Sequence, residues 1–235
     1  MIFMRNLCLY VFIFCCWEMN SAYAVSRNYL MKKCQQFKES SPPPIVQVIY
    51  NYGELTVDKE KSSAEISKIY AKIHALPPPA ETDDDKKGMT VFNAYDKVGV
   101  SVAYQVLSDG YVCVIPAEFK VFVGFENTIV YLDKALEPKS CLYNQTWRHE
   151  LQHLDLAHEA LSLYVWALKS RIGDIVADVG VKISKVASEK VANDFANEYR
   201  SRLAPISALF QGTLTQEQAK LDTDENYRKE EKLCY

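Results

Sequence analysis

A long stretch without glycine or proline, beginning at Asn144 and ending before Gly173, constrains this chain more than any other feature of its sequence. Such a stretch predicts a long α-helix with Asn144 as its N-cap. Residues four apart lie on one face of a helix, so His149 and His153 can direct both imidazoles at a single tetrahedral ion. Glu150 is close enough to activate a water at that ion. The stretch therefore predicts a helical metal site with a general base beside it.

The first 24 residues have the pattern of a secretory signal peptide. Arg5 precedes an apolar run from Leu7 to Trp17, and the small residues in Ser21-Ala22-Tyr23-Ala24 mark a cleavage site. The run is too short for a permanent membrane anchor, which needs about 20 apolar residues, and no later stretch approaches that length. We therefore expect a mature chain that begins at Val25 and is exported by a bacterial cell, as a periplasmic or secreted protein without a membrane span.

Four of the seven cysteines remain after the expected cleavage: Cys34, Cys113, Cys141 and Cys234. An even number of cysteines in an oxidising compartment predicts two disulfides, with three connectivities open. These cysteines include no C-x-x-C pair, so the sequence does not favour metal ligation by cysteine.

Alternating apolar residues and turn signals before the long helix predict β-structure. The expected fold class is therefore α+β, with a small mixed or antiparallel sheet, in a single domain over residues 25–235. Its predicted parts are a β-rich part over 45–135, a helical part over 144–203 and a polar tail over 206–235.

Local signals divide the predicted parts further. Within the β-rich part we expect a strand, a backing helix with the capping box Ser62 and Glu65, and two hairpins, at 45–50, 62–73, 98–115 and 119–132. Within the helical part we expect a second helix, 174–203, antiparallel to the first.

The charge pattern argues against a nucleic-acid partner. The formal net charge is -3, and the lysines and arginines are scattered along the chain instead of forming a basic patch. The acidic run Asp83-Asp84-Asp85 lacks the spaced oxygen ligands of a calcium loop, so it predicts a solvated connection.

The segment from His149 to His153 resembles the HExxH motif of the zincin class of zinc metallopeptidases. The resemblance is specific for this segment and topological elsewhere, since a strand, a backing helix and hairpins precede the motif helix. It implies a zincin-like fold in which residues 129–132 form the edge strand that binds an extended peptide. The order of signal peptide, β-rich region, motif helix and cysteine-terminated tail is also similar to that of uncharacterised bacterial families of predicted periplasmic zinc proteases.

The branches of the zincin class differ in their third metal ligand. Metzincins would require glycine at position 156 and His or Asp at position 159, whereas this chain has Leu156 and Glu159. In the gluzincin branch, an acidic residue on a following helix completes the site. Folding the two predicted helices back on each other at Gly173 places Asp194 and Glu198 near the motif, so these are the leading candidates for the third ligand.

Two other sources of a third ligand remain open. The acidic tail contains Asp222 and Glu225, and either could reach the metal if Cys141 pairs with Cys234. His158 lies on the same helix as the other two histidines. At about 100 degrees per residue it points to the opposite face, and it is therefore disfavoured.

The resemblance implies zinc (Zn2+) as cofactor and a peptide or protein as substrate. In this mechanism Glu150 takes a proton from the activated water and returns it to the leaving amine. Tyr199 and Tyr227 are candidate hydrogen-bond donors to the oxyanion, although packing also accounts for each of them. Two alternatives stay open: a non-catalytic envelope binding protein with a structural zinc or none, and a zinc amidase or endopeptidase that acts on peptidoglycan.

Overall fold

The computed structural model describes residues 27–75, 86–185 and 188–234. The expected signal peptide and the acidic run at 83–85 lie outside these ranges. The described chain combines several helices with a five-stranded sheet, which confirms a fold of mixed α and β structure.

The elements before the motif helix are helix α1 (27–40), strands β1 (Ile45–Asn51) and β2 (Glu54–Asp58), helix α2 (Ser63–Ile73), and two long strands, β3 (Gly88–Val106) and β4 (Val112–Leu132). The predicted capping box is present at the start of α2. The side chain of Ser62 accepts from the backbone N–H of Glu65, and the side chain of Glu65 accepts from the backbone N–H of Ser62. The connection between β3 and β4 contains the predicted turn at Asp109-Gly110.

Two long helices follow, α3 (Cys141–Asp178) and α4 (Ser188–Leu221), with the short strand β5 (Lys182–Ser184) between them and helix α5 (Asp224–Glu231) after them. Helix α3 begins before Asn144, and the hydroxyl of Ser140 accepts from the backbone N–H of Tyr143. Ser140 therefore caps this helix, and the prediction of Asn144 as N-cap was wrong. None of the helices in the described ranges combines the length and the apolar composition of a membrane span.

Both long helices continue past the residues at which the sequence predicted breaks. Helix α3 runs through Gly173, and α4 runs through Pro205. A proline inside a helix removes one backbone hydrogen bond, but packing holds the helix beyond it. The ring of Phe210 is buried and stacks on Tyr164 with 4.6 Å between ring centroids. The whole first half of the predicted polar tail is therefore helical, as far as Leu221.

Strand β4 pairs with the other four strands and forms the centre of the sheet. Strand β2 lies parallel to its second half, with Glu54 opposite Asn127 and Asp58 opposite Tyr131. Strand β5 lies antiparallel to its first residues. The core positions of β4 come from both halves of the strand, which accounts for its largely apolar sequence.

The second predicted hairpin does not form, because β4 is continuous from Val112 to Leu132. Pairing with β2 over 127–131 gives these residues the backbone hydrogen bonds that a turn would leave unmade. Residues 129–132 therefore belong to the central strand, and their prediction as an edge strand was wrong.

Gly124 of β4 has a φ of 140°. A Cβ atom there would lie 2.0 Å from the carbonyl oxygen of Asn51, so only glycine lets β1 approach so closely.

The chain forms two compact units, each made of three segments. The first unit comprises the described residues within Met1–Val46, Gly99–Phe119 and Asp174–Tyr199. Its core includes the disulfide between Cys34 and Cys113, whose Cα atoms are 5.2 Å apart and whose side chains are fully buried with Ile115. The rings of Phe119 and Tyr199 pack in the same unit, 4.3 Å apart.

The second unit comprises the described residues within Gln47–Val98, Lys120–Gly173 and Arg200–Tyr235. Its core is formed by fully buried side chains of β4 and α3, namely Val121, Val123, Phe125, Ala157 and Leu161. A disulfide between Cys141 and Cys234, with Cα atoms 5.5 Å apart, links the start of α3 to the end of the chain. The structure therefore has one of the three connectivities that the sequence left open, in which Cys34 pairs with Cys113 and Cys141 pairs with Cys234.

The disulfide pairing is directly testable by peptide mapping. We expect the oxidised protein to yield Cys34 linked to Cys113 and Cys141 linked to Cys234, since their Cα separations of 5.2 and 5.5 Å suit a disulfide. Replacing Cys34 and Cys113 together by alanine should lower the free energy of unfolding by about 2 to 4 kcal/mol, measured by denaturant titration. A peptide that joins Cys34 to Cys141 would contradict this fold.

Candidate metal centre

Two segments of the second unit that are distant in sequence meet at the motif. Helix α3 presents His149, Glu150 and His153, and all three side chains are buried. Asp222 comes directly after the last residue of α4 and reaches the same place. The disulfide of Cys141 holds the chain end near the start of α3, as the sequence argument for the acidic tail required.

The donor atoms of three of these residues form a compact triangle. Nε2 of His149 lies 3.1 Å from Nε2 of His153, and Oδ1 of Asp222 lies 3.4 Å from the first nitrogen and 3.2 Å from the second. Two ligands of a tetrahedral ion, each at about 2.0 to 2.1 Å, are about 3.3 to 3.4 Å apart. The triangle therefore has the size that a divalent ion requires, and these residues can hold a metal.

The chemistry of the donor set also fits a cation. Each neutral imidazole directs a lone pair from Nε2, and the carboxylate oxygen carries negative charge. Three such donors at these distances repel one another unless a positive charge lies between or on them. A proton can supply this charge in the metal-free protein, and a metal ion can replace the proton.

The other ring nitrogens are held by acceptors on the C-terminal helices. Nδ1 of His149 donates to the carboxylate of Glu230 at 3.2 Å, and Nδ1 of His153 donates to Oε1 of Gln218. Gln218 in turn donates from Nε2 to the backbone oxygen of His153 at 2.9 Å. Partners of this kind orient metal-binding histidines and place the proton on Nδ1, so that Nε2 is free for a metal.

The carboxylate of Glu150 is buried next to the two histidines. The hydroxyl of Thr90 donates to Oε2 at 2.7 Å. Burial raises the pKa of Glu150, and the hydrogen bond from Thr90 and the charges of His153 and His149 offset only part of this effect. A carboxyl group with a raised pKa holds a proton more readily, which suits a group that takes up and returns one.

In the metal-free protein, the electrostatics favour protonated histidines and an ionised aspartate. Burial by itself lowers the pKa of His149, but hydrogen bonds to Asp222 and Glu230, together with the charge of Glu150, outweigh it and raise this pKa to about 9. Burial also opposes the charged form of His153, yet Asp222 raises its pKa. For Asp222, burial acts to raise the pKa, and the hydrogen bonds from both histidines bring it well below its usual range.

Tyr227 of α5 borders the same triangle. Its hydroxyl donates to Oδ1 of Asp222 at 2.6 Å, and its ring centroid lies 4.9 Å from that of His149. Burial and the neighbouring carboxylate of Asp222 raise the pKa of Tyr227, so the hydroxyl keeps its proton at neutral pH. Tyr227 therefore supplies a hydrogen-bond donor at the edge of the site.

The structure does not bring the two leading candidates for the third ligand into this group. Asp194 is exposed on the part of α4 that belongs to the first unit. Glu198 lies in the same unit and forms an ion pair with Lys182, with 3.2 Å between Oε2 and Nζ. Among the described residues, the acidic member of the ligand group is Asp222.

The remaining candidates also lie outside the group. Glu225 is exposed on α5 and pairs with Lys229 at 2.7 Å. His158 packs against Tyr52, with 4.9 Å between ring centroids, on the face of α3 that the helical angle predicted. Tyr199 is fully buried in the first unit.

The register between α3 and α4 explains why the third donor comes from the end of α4. His153 meets Gln218, and Tyr164 meets Ser207 with 2.7 Å between their oxygens. From His153 to Tyr164 the chain advances eleven residues along α3, and from Gln218 to Ser207 it goes back eleven residues along α4. This antiparallel register places the reversal of the chain near residue 185, between the two helices, and not at Gly173.

Sequence reasoning missed Gln218, Glu230 and Thr90. The first two require the correct register of the C-terminal helices, because nothing in their local sequence marks them as partners of histidine. Thr90 lies on a strand about 60 residues before Glu150 and contacts it only through the tertiary fold.

Comparison of the chain with models of protein families, with curated proteins and with solved structures finds no match in any of the three. The function is therefore inferred from the side chains and their geometry.

Removing Asp222 should show whether this residue, and not Asp194, is the third metal ligand. We expect Asp222→Ala to weaken zinc binding by more than about 100-fold, which exceeds the loss typical of an outer partner of a metal ligand. Competition with a chromogenic chelator measures this affinity. Asp194→Ala is the matched control and should bind zinc like the unmodified protein, because Asp194 is exposed in the first unit. If Asp194→Ala lost zinc binding and Asp222→Ala kept it, Asp194 would be the third ligand, as the sequence favoured.

Uptake of a divalent ion such as zinc by this group should also depend on pH. The pKa of His149 is about 9 in the metal-free protein, so near pH 7 this ring carries a proton that the ion must displace. The apparent affinity should rise by about tenfold per pH unit for each proton displaced, and the contribution of His149 should end above about pH 9. Calorimetry in buffers of different ionisation enthalpy measures the protons released. Equal affinities at about pH 6 and about pH 9 would contradict this electrostatic description.

Proposed function

We propose that this protein is an exported, zinc-dependent peptidase with a zincin-like fold, in which Glu150 is the general base. The observation that carries the proposal is the triangle of His149, His153 and Asp222 donor atoms, 3.1 to 3.4 Å apart, beside the buried carboxylate of Glu150. A metal site and a buried proton acceptor are the two parts that hydrolysis of an amide by activated water requires.

The ligand set favours a catalytic zinc over a structural one. Two imidazole nitrogens and one carboxylate oxygen are donors that zinc accepts, and three protein ligands are typical of catalytic sites. Structural zinc sites have four protein ligands, usually including cysteines. In the described part of the chain, the cysteines are paired in disulfides and the ligand group has three members. This supports the peptidase over a non-catalytic binding protein with a structural zinc.

A divalent ion held by this triangle would supply Lewis-acid chemistry, lowering the pKa of water and polarising the scissile carbonyl. His149 and His153 would bind through Nε2, while Glu230 and Gln218 keep their rings in place through Nδ1. Glu150 accepts one proton from the attacking water. It then donates that proton to the nitrogen of the leaving amine as the C–N bond breaks, so that the products are a carboxylic acid and an amine.

Tyr227 is suited to stabilise the oxygen of the scissile carbonyl. Its hydroxyl is protonated at neutral pH and donates to Asp222 at 2.6 Å in the structure. Rotation of the hydroxyl hydrogen from Asp222 to a substrate oxygen would place a donor where negative charge develops. This role belongs to Tyr227 and not to Tyr199, because Tyr199 is packed in the core of the first unit.

Two features support export. The structure pairs Cys34 with Cys113 and Cys141 with Cys234, and disulfides form and persist in oxidising compartments. The N-terminal sequence has the composition of a signal peptide. The proposed substrate is a peptide or protein on the far side of the membrane.

The variant Glu150→Gln tests the general base. We expect it to lower kcat by about 100- to 10,000-fold in hydrolysis of unfolded protein or fluorogenic peptides, because the amide cannot take the proton from water. Zinc content should stay near that of the unmodified protein, since Glu150 is not in the ligand triangle. Glu159→Gln, an exposed glutamate on the same helix, is the matched control and should keep full activity.

Two outcomes would count against the proposal. Undiminished hydrolysis by Glu150→Gln would exclude this residue as general base. Turnover of isolated cell-wall fragments without turnover of unfolded protein would replace the peptidase by the peptidoglycan amidase or endopeptidase.

The variant Tyr227→Phe tests the hydrogen-bond donor. Loss of one donor to a developing oxyanion typically costs about 100- to 1,000-fold in kcat, and we expect a decrease of this order with zinc content unchanged. Tyr52→Phe removes a hydroxyl that bonds Ser162 at 2.9 Å and should leave kcat unaltered. A Tyr227→Phe variant with normal kcat would assign the ring to packing alone.

A further inference from the structure

The start of strand β3 lies directly against the side chain of Glu150. The hydroxyl of Thr90 donates to Oε2 at 2.7 Å and also lies 3.1 Å from the backbone oxygen of the same residue. One hydroxyl proton is thus shared between the carboxylate and the backbone of Glu150. A contact of this kind defines where the carboxylate lies relative to the axis of α3.

Gly88 closes the other side of the carboxylate. A Cβ atom at this position would lie 2.5 Å from Oε1 of Glu150 and 2.6 Å from Cγ2 of Thr146. Such distances are shorter than van der Waals contact, so any residue other than glycine would displace one of these side chains. The backbone of β3 therefore approaches one oxygen of Glu150 while Thr90 binds the other.

The segment that carries Gly88 and Thr90 is itself anchored. The backbone oxygen of Lys87 accepts from the backbone N–H of Asp133 at 2.8 Å, and Nζ of Lys87 lies 3.5 Å from Oδ2 of the same aspartate. Asp133 is buried and also accepts from the hydroxyl of Ser63 at 2.9 Å. The start of β3 therefore does not depend on Glu150 for its position.

The chemistry of the donor suits a general base. A neutral hydroxyl orients a carboxylate without adding the full positive charge that an arginine or lysine would bring, so the carboxylate stays basic enough to take a proton. Thr90 binds Oε2, so the proton of the attacking water would go to Oε1, the oxygen that the backbone at Gly88 borders. Orientation of reacting groups to within about 1 Å is worth up to about 100-fold in rate.

We propose that Thr90 is the positioning residue of the general base, holding Oε2 of Glu150 while Gly88 leaves the room that the carboxylate needs. The contact stands on the geometry alone, and its effect on catalysis rests on the proposed peptidase function. Thr90 acts through Glu150 and does not bind the metal.

The test compares two variants of Thr90. Thr90→Val has nearly the same shape without the hydroxyl, and we expect its kcat to fall about 10- to 100-fold with KM and zinc content unchanged. Thr90→Ser keeps the hydroxyl and should retain most of the activity. Thr128→Val is the matched control, since Thr128 is also buried and its hydroxyl has no hydrogen-bond partner in the described parts of the chain. It should behave like the unmodified protein.

Crystal structures of the same variants give a readout that does not need activity. In Thr90→Val the Glu150 carboxylate should leave its place or lose its density, whereas in Thr90→Ser and Thr128→Val it should stay. Gly88→Ala should displace the carboxylate as well, because the added methyl group would lie where Oε1 is. Thr90→Val with normal kcat, or with an unmoved carboxylate, would overturn the positioning role.

The two proposals can fail separately. If zinc-loaded protein and Glu150→Gln are equally inactive on every peptide, protein and cell-wall substrate, the peptidase function is excluded, and the crystal structures alone decide the role of Thr90. If Glu150→Gln abolishes activity and Thr90→Val does not, the peptidase stands and the positioning role is excluded.

Discussion

Two imidazole nitrogens and one carboxylate oxygen lie within 3.4 Å of one another, and atoms that each carry a lone pair tolerate such proximity only when a proton or a metal ion lies between them. Several parts of the second unit bring these three side chains together. Helix α4 continues past Pro205 to deliver Gln218 and Asp222, and a disulfide holds the end of the chain against the start of α3. Because this place exists only in the folded chain, a bound ion would stabilise the folded state by its binding free energy.

The site divides its tasks among three parts of the second unit. Helix α3 supplies the two histidines and Glu150, the segment from α4 to α5 supplies the third donor and the outer partners of the rings, and strand β3 borders the general base. Each part meets a different need. The histidines need acceptors for Nδ1, the ion needs a negative ligand, and a buried carboxylate needs a donor that leaves it basic. Metal binding and proton transfer can therefore be separated experimentally within one cluster of side chains.

Two differences between the expected and the observed fold have the same physical origin. Asn127 is a common turn residue, yet it lies inside β4 because β2 pairs with it in parallel, with Glu54 opposite Asn127. Pro205 commonly ends a helix, yet α4 continues because Phe210 stacks on Tyr164 beyond it. In both cases a local preference of about 1 to 3 kcal/mol is outweighed by pairing or packing with a distant segment. The capping box of Ser62 and the turn at Gly110 had no such competitor, and they were predicted correctly.

The sequence by itself determined the motif face, since the spacing of His149 and His153 and the period of an α-helix place both rings on one side whatever surrounds them. It also indicated a mixture of α and β structure, and it left four cysteines for disulfides after the expected signal peptide. Only the tertiary structure decided that Asp222 completes the triangle and that Thr90 contacts Glu150. The reason is that helical periodicity depends on adjacent residues, whereas the register of two helices depends on where the chain reverses and which side chains interlock. Here that reversal lies about 12 residues beyond Gly173, which is about three helical turns. As a result, Asp222 lies beside the two histidines in place of Asp194, the residue that the sequence favoured.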